Sequence, residues 1–134
     1  MNAPYLPYRK GTVLAPSGPV DHLHIICSNP VYSAEHGCDV VLIVNISSVP
    51  VVGVYDNSCI LNAGEHAFVR HPTYLAYSRS VLWRCPTIID KVDSGEYRTH
   101  DNVSDAVMQK IMAGFRASQH TAFKVLRFID RNGL

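Results

Sequence analysis

The groups best suited to chemistry crowd into one stretch, Asp56 to Arg79. It holds His66 and His71, Arg70 and Arg79, Thr73, and Tyr74 and Tyr77. Imidazoles take up and release protons near neutral pH. A guanidinium forks onto two oxygens of a phosphate. Phenol rings stack on bases. Together these types fit metal-independent cleavage of RNA. That reaction needs a base for the 2′-hydroxyl, an acid for the leaving 5′-oxygen, and a cation or donor for the phosphorane. Its products are a 2′,3′-cyclic phosphate and a 5′-hydroxyl. Arg79 is the candidate phosphate clamp. His71 and His66 are candidates for acid or base. Ser47 and Ser48, just upstream, are candidate donors to the phosphate. Thr73 and Tyr77 alternate onto the face of Arg79, so the three are expected to line one groove, with Arg70 and Tyr74 beside it as substrate contacts. Each also has a plain reading: a surface arginine, turn serines, structural histidines, core or rim tyrosines.

Two other chemistries deserve weight. His22 and His24 form an H-x-H on a strand, the spacing two metal ligands need, and His66, His71 or Cys38 could complete a set. The glutamate that follows in a cupin motif is absent: Ile25, Ile26, Cys27 and Ser28 come next. The plain reading of the pair is a solvated strand face. The other possibility is a scaffold that binds a protein partner and catalyses nothing, since fold does not dictate function. In the ribonuclease reading no metal or cofactor is expected.

The elements that must hold these residues can be read from spacing. The chain has 134 residues, 47% of them hydrophobic, and a formal charge of +1. That is enough for one domain with a real core, and too balanced for a strongly basic nucleic-acid coat. Residues 1–10 read as an irregular arm, broken by Pro4 and Pro7, with Tyr5 and Tyr8 to pin it. Residues 11–134 read as the domain. Met1 to Lys10 lacks the apolar run of a secretory signal, and Val40 to Val44 is far short of a membrane span. Four spaced cysteines without a C-x-x-C pair fit a reduced, cytoplasmic setting.

Strands are expected at Gly11–Ala15, Asp21–Ser28 and Cys38–Ile46. In the second, Leu23, Ile25 and Cys27 share one face and His22, His24 and Ile26 the other. The third is β-branched and apolar throughout its middle, as a strand buried on both faces would be. Shorter strands are expected at Val51–Tyr55, Cys59–Leu61, Ala67–Val69, Thr73–Trp83 and Pro86–Ile89, with a polar loop from Asp90 to Asn102. The C-terminal part, about 102–130, is helical by pattern. Val103, Ala106, Val107, Ile111 and Phe115 form a stripe, Asn102 or Ser104 can cap it, and Asp105 suits the first turn. Gly114 and Ser118 weaken the pattern before Phe123, Leu126 and Ile129 resume it. The fold class is therefore mainly β with C-terminal helices, an α+β domain built on a small bent antiparallel sheet.

This layout resembles the MazF/PemK-type toxins. Gly11-Thr-Val-Leu is similar to the family's opening Gly-x-[IV] strand. His22–Ser28 matches its second strand, Val41–Val49 its third, which ends in Ser/Thr, Tyr74–Leu82 its arginine-bearing strand, and Val103–Phe115 its terminal helix. The resemblance spans residues 10 to 116. It departs at Asp21-His22, where the family has Arg-Pro or Lys-Pro, at Gly64–Phe68, and beyond Gln119. It implies a small SH3-like β-barrel, an endoribonuclease acting on single-stranded RNA, a homodimer, and an antitoxin-like protein partner. It also implies phosphate contacts for Arg79 and for Ser47 or Ser48.

Overall fold

The computed structural model describes residues 3–134, so the first two residues of the expected arm lie outside it. One strand organises the sheet. β4 (Cys38–Ser48) is apolar and largely β-branched, and it is buried without interruption from Val40 to Ile46. A strand covered on both faces needs this composition. Leu42, Val44 and Ile46 enter the larger core, and Val41 and Ile43 the smaller one.

β4 has antiparallel partners along its whole length. β2 (Val20–Ile26) pairs Ile26 with Ile43 and His24 with Asn45. β3 (Val31–Ser33) pairs Val31 with Val40, in a segment for which the pattern gives no strand. β6 (Thr73–Leu75) pairs Ser47 with Tyr74 and Ser48 with Thr73. β7 (Val81–Arg84) pairs Val41 with Trp83. β1 (Thr12–Ser17) joins β2, β5 (Ile60–Leu61) joins β6, and β8 (Arg98–His100) joins β1. The strand path runs β5-β6-β4-β2-β1-β8, and its two ends do not pair, so the sheet is not closed.

Helices cover both faces. α1 (Cys85–Asp93) packs Cys85 and Ile88 on Ile26, Val41 and Ile43. α2 (Asp105–Ala117) and α3 (Phe123–Arg131) pack Val107, Met108, Ile111, Phe115, Val125 and Ile129 on the opposite core. Each such apolar side chain contributes roughly 1.5–3 kcal/mol on full burial. Ser104 caps α2 by accepting from the Val107 N–H at 3.1 Å. Neither α2 nor α3 is long enough to be stable alone; the apolar stripe and the sheet beneath it make the helices. The arm rests Tyr5 against the smaller core, while Tyr8 stays exposed.

Several segments differ from their local pattern. Pro86–Ile89 is not a strand but the start of α1, where a proline in the first turn loses no hydrogen bond. The expected loop at 90–102 holds the rest of α1 and β8. Val51–Tyr55 and Ala67–Val69 form no strand. The first exposes Val51, Val52 and Val54, and the second is a turn in which the Val69 N–H donates to the His66 carbonyl. Thr73–Trp83 is not one strand. It divides into β6, a single 3-10 turn at Tyr77–Arg79, and β7.

That break has a physical cause. Tyr77 is fully buried, its ring edge-on to Phe115 at 4.8 Å, and its hydroxyl donates to the Ile111 carbonyl at 2.7 Å. Ser80 holds the turn by donating its hydroxyl to the Tyr77 carbonyl at 2.6 Å. Gly114 makes room for the ring: a Cβ there would sit 1.9 Å from the Tyr77 hydroxyl oxygen. The glycine that weakens the helix pattern is where α2 accommodates the Tyr77 ring.

Candidate functional site

The cleft begins where β4 loses its β2 partner. Pairing between the two strands ends at His24 and Asn45, and the start of β2 and the end of β4 then form two walls. The connection from β5 to β6 supplies the third. Ser48 is held beside Thr73 by strand register, and the Val49 N–H donates to the Pro72 carbonyl at 3.1 Å. Pro72 cannot extend the ladder backwards, so Arg70 and His71 turn out toward solvent. The resulting cavity has a volume of about 320 Å³. Its polar lining is Asp21, His22, Ser47, Ser48, Arg70, His71 and Thr73, and Leu23, Ile46 and Phe68 are among its apolar lining.

The central contact joins Ser48 Oγ to His71 Nε2 at 2.7 Å. With the proton on Nδ1 the serine donates to the imidazole; with it on Nε2 the direction reverses. Either way a hydroxyl and an imidazole are coupled at the mouth of a cleft. Arg70 is exposed and makes no ion pair among the described residues. Asp21 reaches Arg98 of β8 at 3.8 Å, a long and solvent-exposed pair. The only carboxylate of the lining therefore has a cation of its own.

Five of the residues singled out for the ribonuclease chemistry thus come together: Ser47, Ser48, Arg70, His71 and Thr73. Thr73 contributes its body more than its hydroxyl, which donates to the Leu61 carbonyl at 3.4 Å in a buried setting. The others go elsewhere. Arg79 is exposed on the 3-10 turn and does not line the cleft. Tyr77 is core, so the groove expected to run Thr73–Tyr77–Arg79 does not form; burial raises the Tyr77 phenol pKa well above its ordinary value. Tyr74 is half-buried and packs on Tyr55 at 5.5 Å.

His66 is buried and fully occupied. Its Nε2–H donates to the Asp101 carbonyl at 2.6 Å, and its Nδ1 accepts from the Phe68 N–H at 3.0 Å. Both nitrogens serve the backbone, which fixes the tautomer and closes the β5–β6 connection onto the segment before α2.

The H-x-H pair of β2 separates as well. His24 is not on a solvated face. It is buried, its Nδ1 bonds the His22 carbonyl at 2.8 Å, and its ring packs on Trp83 at 4.8 Å. Burial foremost lowers its pKa, since the charged form is poorly solvated there. Among the described residues no three His, Cys, Asp or Glu side chains are grouped to hold a metal ion. Cys38 does not line the cleft, and Cys27, Cys59 and Cys85 are buried free thiols.

Sequence reading missed Asp21 and Phe68 as lining residues, and considered His22 only as a metal ligand. No linear signal marks them: the end of β2–β4 pairing at His24 brings the start of β2 and the serines at the end of β4 to one cavity. No helix of the described residues is long and apolar enough to cross a membrane. A scan against protein-family models and a search of curated proteins both return no match.

Proposed function

We propose that the cleft binds the backbone of single-stranded RNA and cuts it without a metal, leaving 2′,3′-cyclic phosphate and 5′-hydroxyl ends. In this reading the chain is a toxin-type endoribonuclease on an SH3-like sheet of the MazF/PemK kind, acting in the cytoplasm. The observation that carries it is the Ser48–His71 contact at 2.7 Å in a cleft that also holds Arg70. His71 moves a proton, Ser47 and Ser48 donate to the phosphate oxygens, and Arg70 neutralises the charge that builds on them. Arg70 takes the role first sought in Arg79 because it lines the same cavity as His71. The antiparallel sheet is compatible with the same reading: one long strand carries two short partners on each edge.

The test is to incubate the purified chain with mixed single-stranded RNA in the presence of a chelator and map the ends. Cleavage with the stated ends is expected, lost in Arg70→Ala and retained in Arg79→Ala. Intact RNA would overturn the reading.

A specific observation favours a second reading, a partner-binding scaffold. The loop that follows Ser48 carries Val51, Val52 and Val54 at 102%, 87% and 101% exposure. Apolar side chains so fully presented on one loop suit a protein interface, whether with an antitoxin-like partner or with a second copy in a homodimer. Intact RNA together with a stable complex that Val52→Asp abolishes would select it.

A further inference from the structure

We infer that His22 is the second proton-transfer group of the cleft, working with His71. The inference rests on the ribonuclease reading and adds to it the residue that a one-histidine site lacks. Transesterification moves two protons. The 2′-O–H bond breaks and its proton goes to one imidazole as the oxygen attacks phosphorus; the P–O5′ bond breaks and the leaving oxygen takes a proton from the other. No electrons are gained or lost, and the two histidines finish with exchanged protonation states, which water restores. A single near-neutral group would have to serve both ends of the displacement.

Geometry selects His22 for the second role. It stands two residues before the last β2–β4 pair, on a different strand from the connection that carries His71, and it lines the same cavity. Its Nδ1 is buried and has no hydrogen-bond partner among the described residues. Buried polar nitrogens are nearly always paired, and an exception calls for an explanation, of which a catalytic role is one. The contrast with the other histidines is informative. His66 is bonded at both nitrogens, and His24 and His36 are each bonded at Nδ1. Among the described residues no hydrogen bond to Nδ1 constrains the His22 ring. The titratable and charged groups around it are Asp21 with its partner Arg98, His24 on the same strand, and Arg70 and His71 in the same cavity.

The test compares wild type, His22→Ala, His22→Gln and His71→Ala as full chains, on single-stranded RNA with chelator, from about pH 5 to 9. Wild type is expected to give a bell-shaped kcat/KM profile. Each histidine variant is expected to lose about 10²-fold or more and one limb of the bell, the His22 and His71 variants losing opposite limbs. Thermal unfolding of His22→Gln is expected to match wild type. A folded His22→Gln that cleaves at the wild-type rate overturns the assignment and leaves the His71–Arg70 site standing. So does a slower His22→Gln that keeps both limbs, which marks a structural role. RNA left intact by wild type overturns both readings at once.

Discussion

His66 and His71 belong to the same short connection between β5 and β6, yet one is part of a wall and the other of an opening. The His66 ring is buried, and each nitrogen has a backbone partner. The His71 ring is exposed, and its one hydrogen bond goes to another side chain of the cleft. The same residue type is thus spent on closing a loop in one case and left free to exchange protons in the other. Burial and hydrogen-bond completeness decide between the roles. A satisfied imidazole cannot change protonation without breaking a backbone contact, whereas a half-satisfied one at a cavity can.

Exchange experiments at these two positions give the largest expected effects. His71→Ala should reduce RNA cleavage by about 10²–10⁴-fold, with thermal stability unchanged. His66→Ala should do the reverse. It leaves the Asp101 carbonyl and the Phe68 N–H without partners, at a cost of about 1–3 kcal/mol each if they stay dry. Urea unfolding and a rate per folded molecule separate the two outcomes. Equal loss of stability in both variants would erase the contrast.

The contrast extends to Tyr77 against Tyr74, one tyrosine in the core and one at a rim. Gly114→Ala is expected to destabilise by about 1–3 kcal/mol, because the added methyl overlaps the Tyr77 hydroxyl in a packed contact. Tyr77→Phe should cost about 1 kcal/mol, for the hydrogen bond to Ile111. Calorimetry would check both. A neutral Gly114→Ala would mean that the contact between α2 and Tyr77 yields at little cost.

The smallest effect is one of pH, and it sharpens the comparison on the other side of the sheet. The His24 pKa is lowered by burial, so the unfolded chain binds the proton more readily than the folded one. Stability then rises with pH across this interval. The His24 contribution is fully present above the ordinary histidine value of about 6.5 and is lost as pH falls toward the lower folded value. Wild type should therefore unfold at lower urea as the solution is acidified from neutral, and His24→Phe should show less of that slope. An identical slope in the variant would assign the effect to other groups.

Much of the fold is legible in local pattern. β4 announces itself as an apolar, β-branched run because a strand covered on both faces has little place for polar side chains, Asn45 being the buried exception. The alternation of β2 separates Leu23, Ile25 and Cys27 from His22, His24 and Ile26, and those two sets do enter different surroundings. The α2 stripe and its Ser104 cap are equally local. α1 was hidden because Pro86, a strand breaker, is also a good first-turn residue, and the short apolar run Cys85–Ile89 has no period long enough to read. The turn at Tyr77 was hidden because its cause lies in Ile111, Gly114 and Phe115, far along the chain.

For the site, residue types and spacing settled that Ser47, Ser48, Arg70, His71 and Thr73 were available to chemistry, since hydroxyl, guanidinium and imidazole carry their reactivity wherever they stand. Which of them meet depended on register and burial. Strand pairing brought Ser48 to Thr73 and His71, the end of β2–β4 pairing opened a wall for His22, and core packing took Tyr77 and left Arg79 outside. Those are long-range contacts, and a linear pattern holds no record of them until the chain has closed on itself.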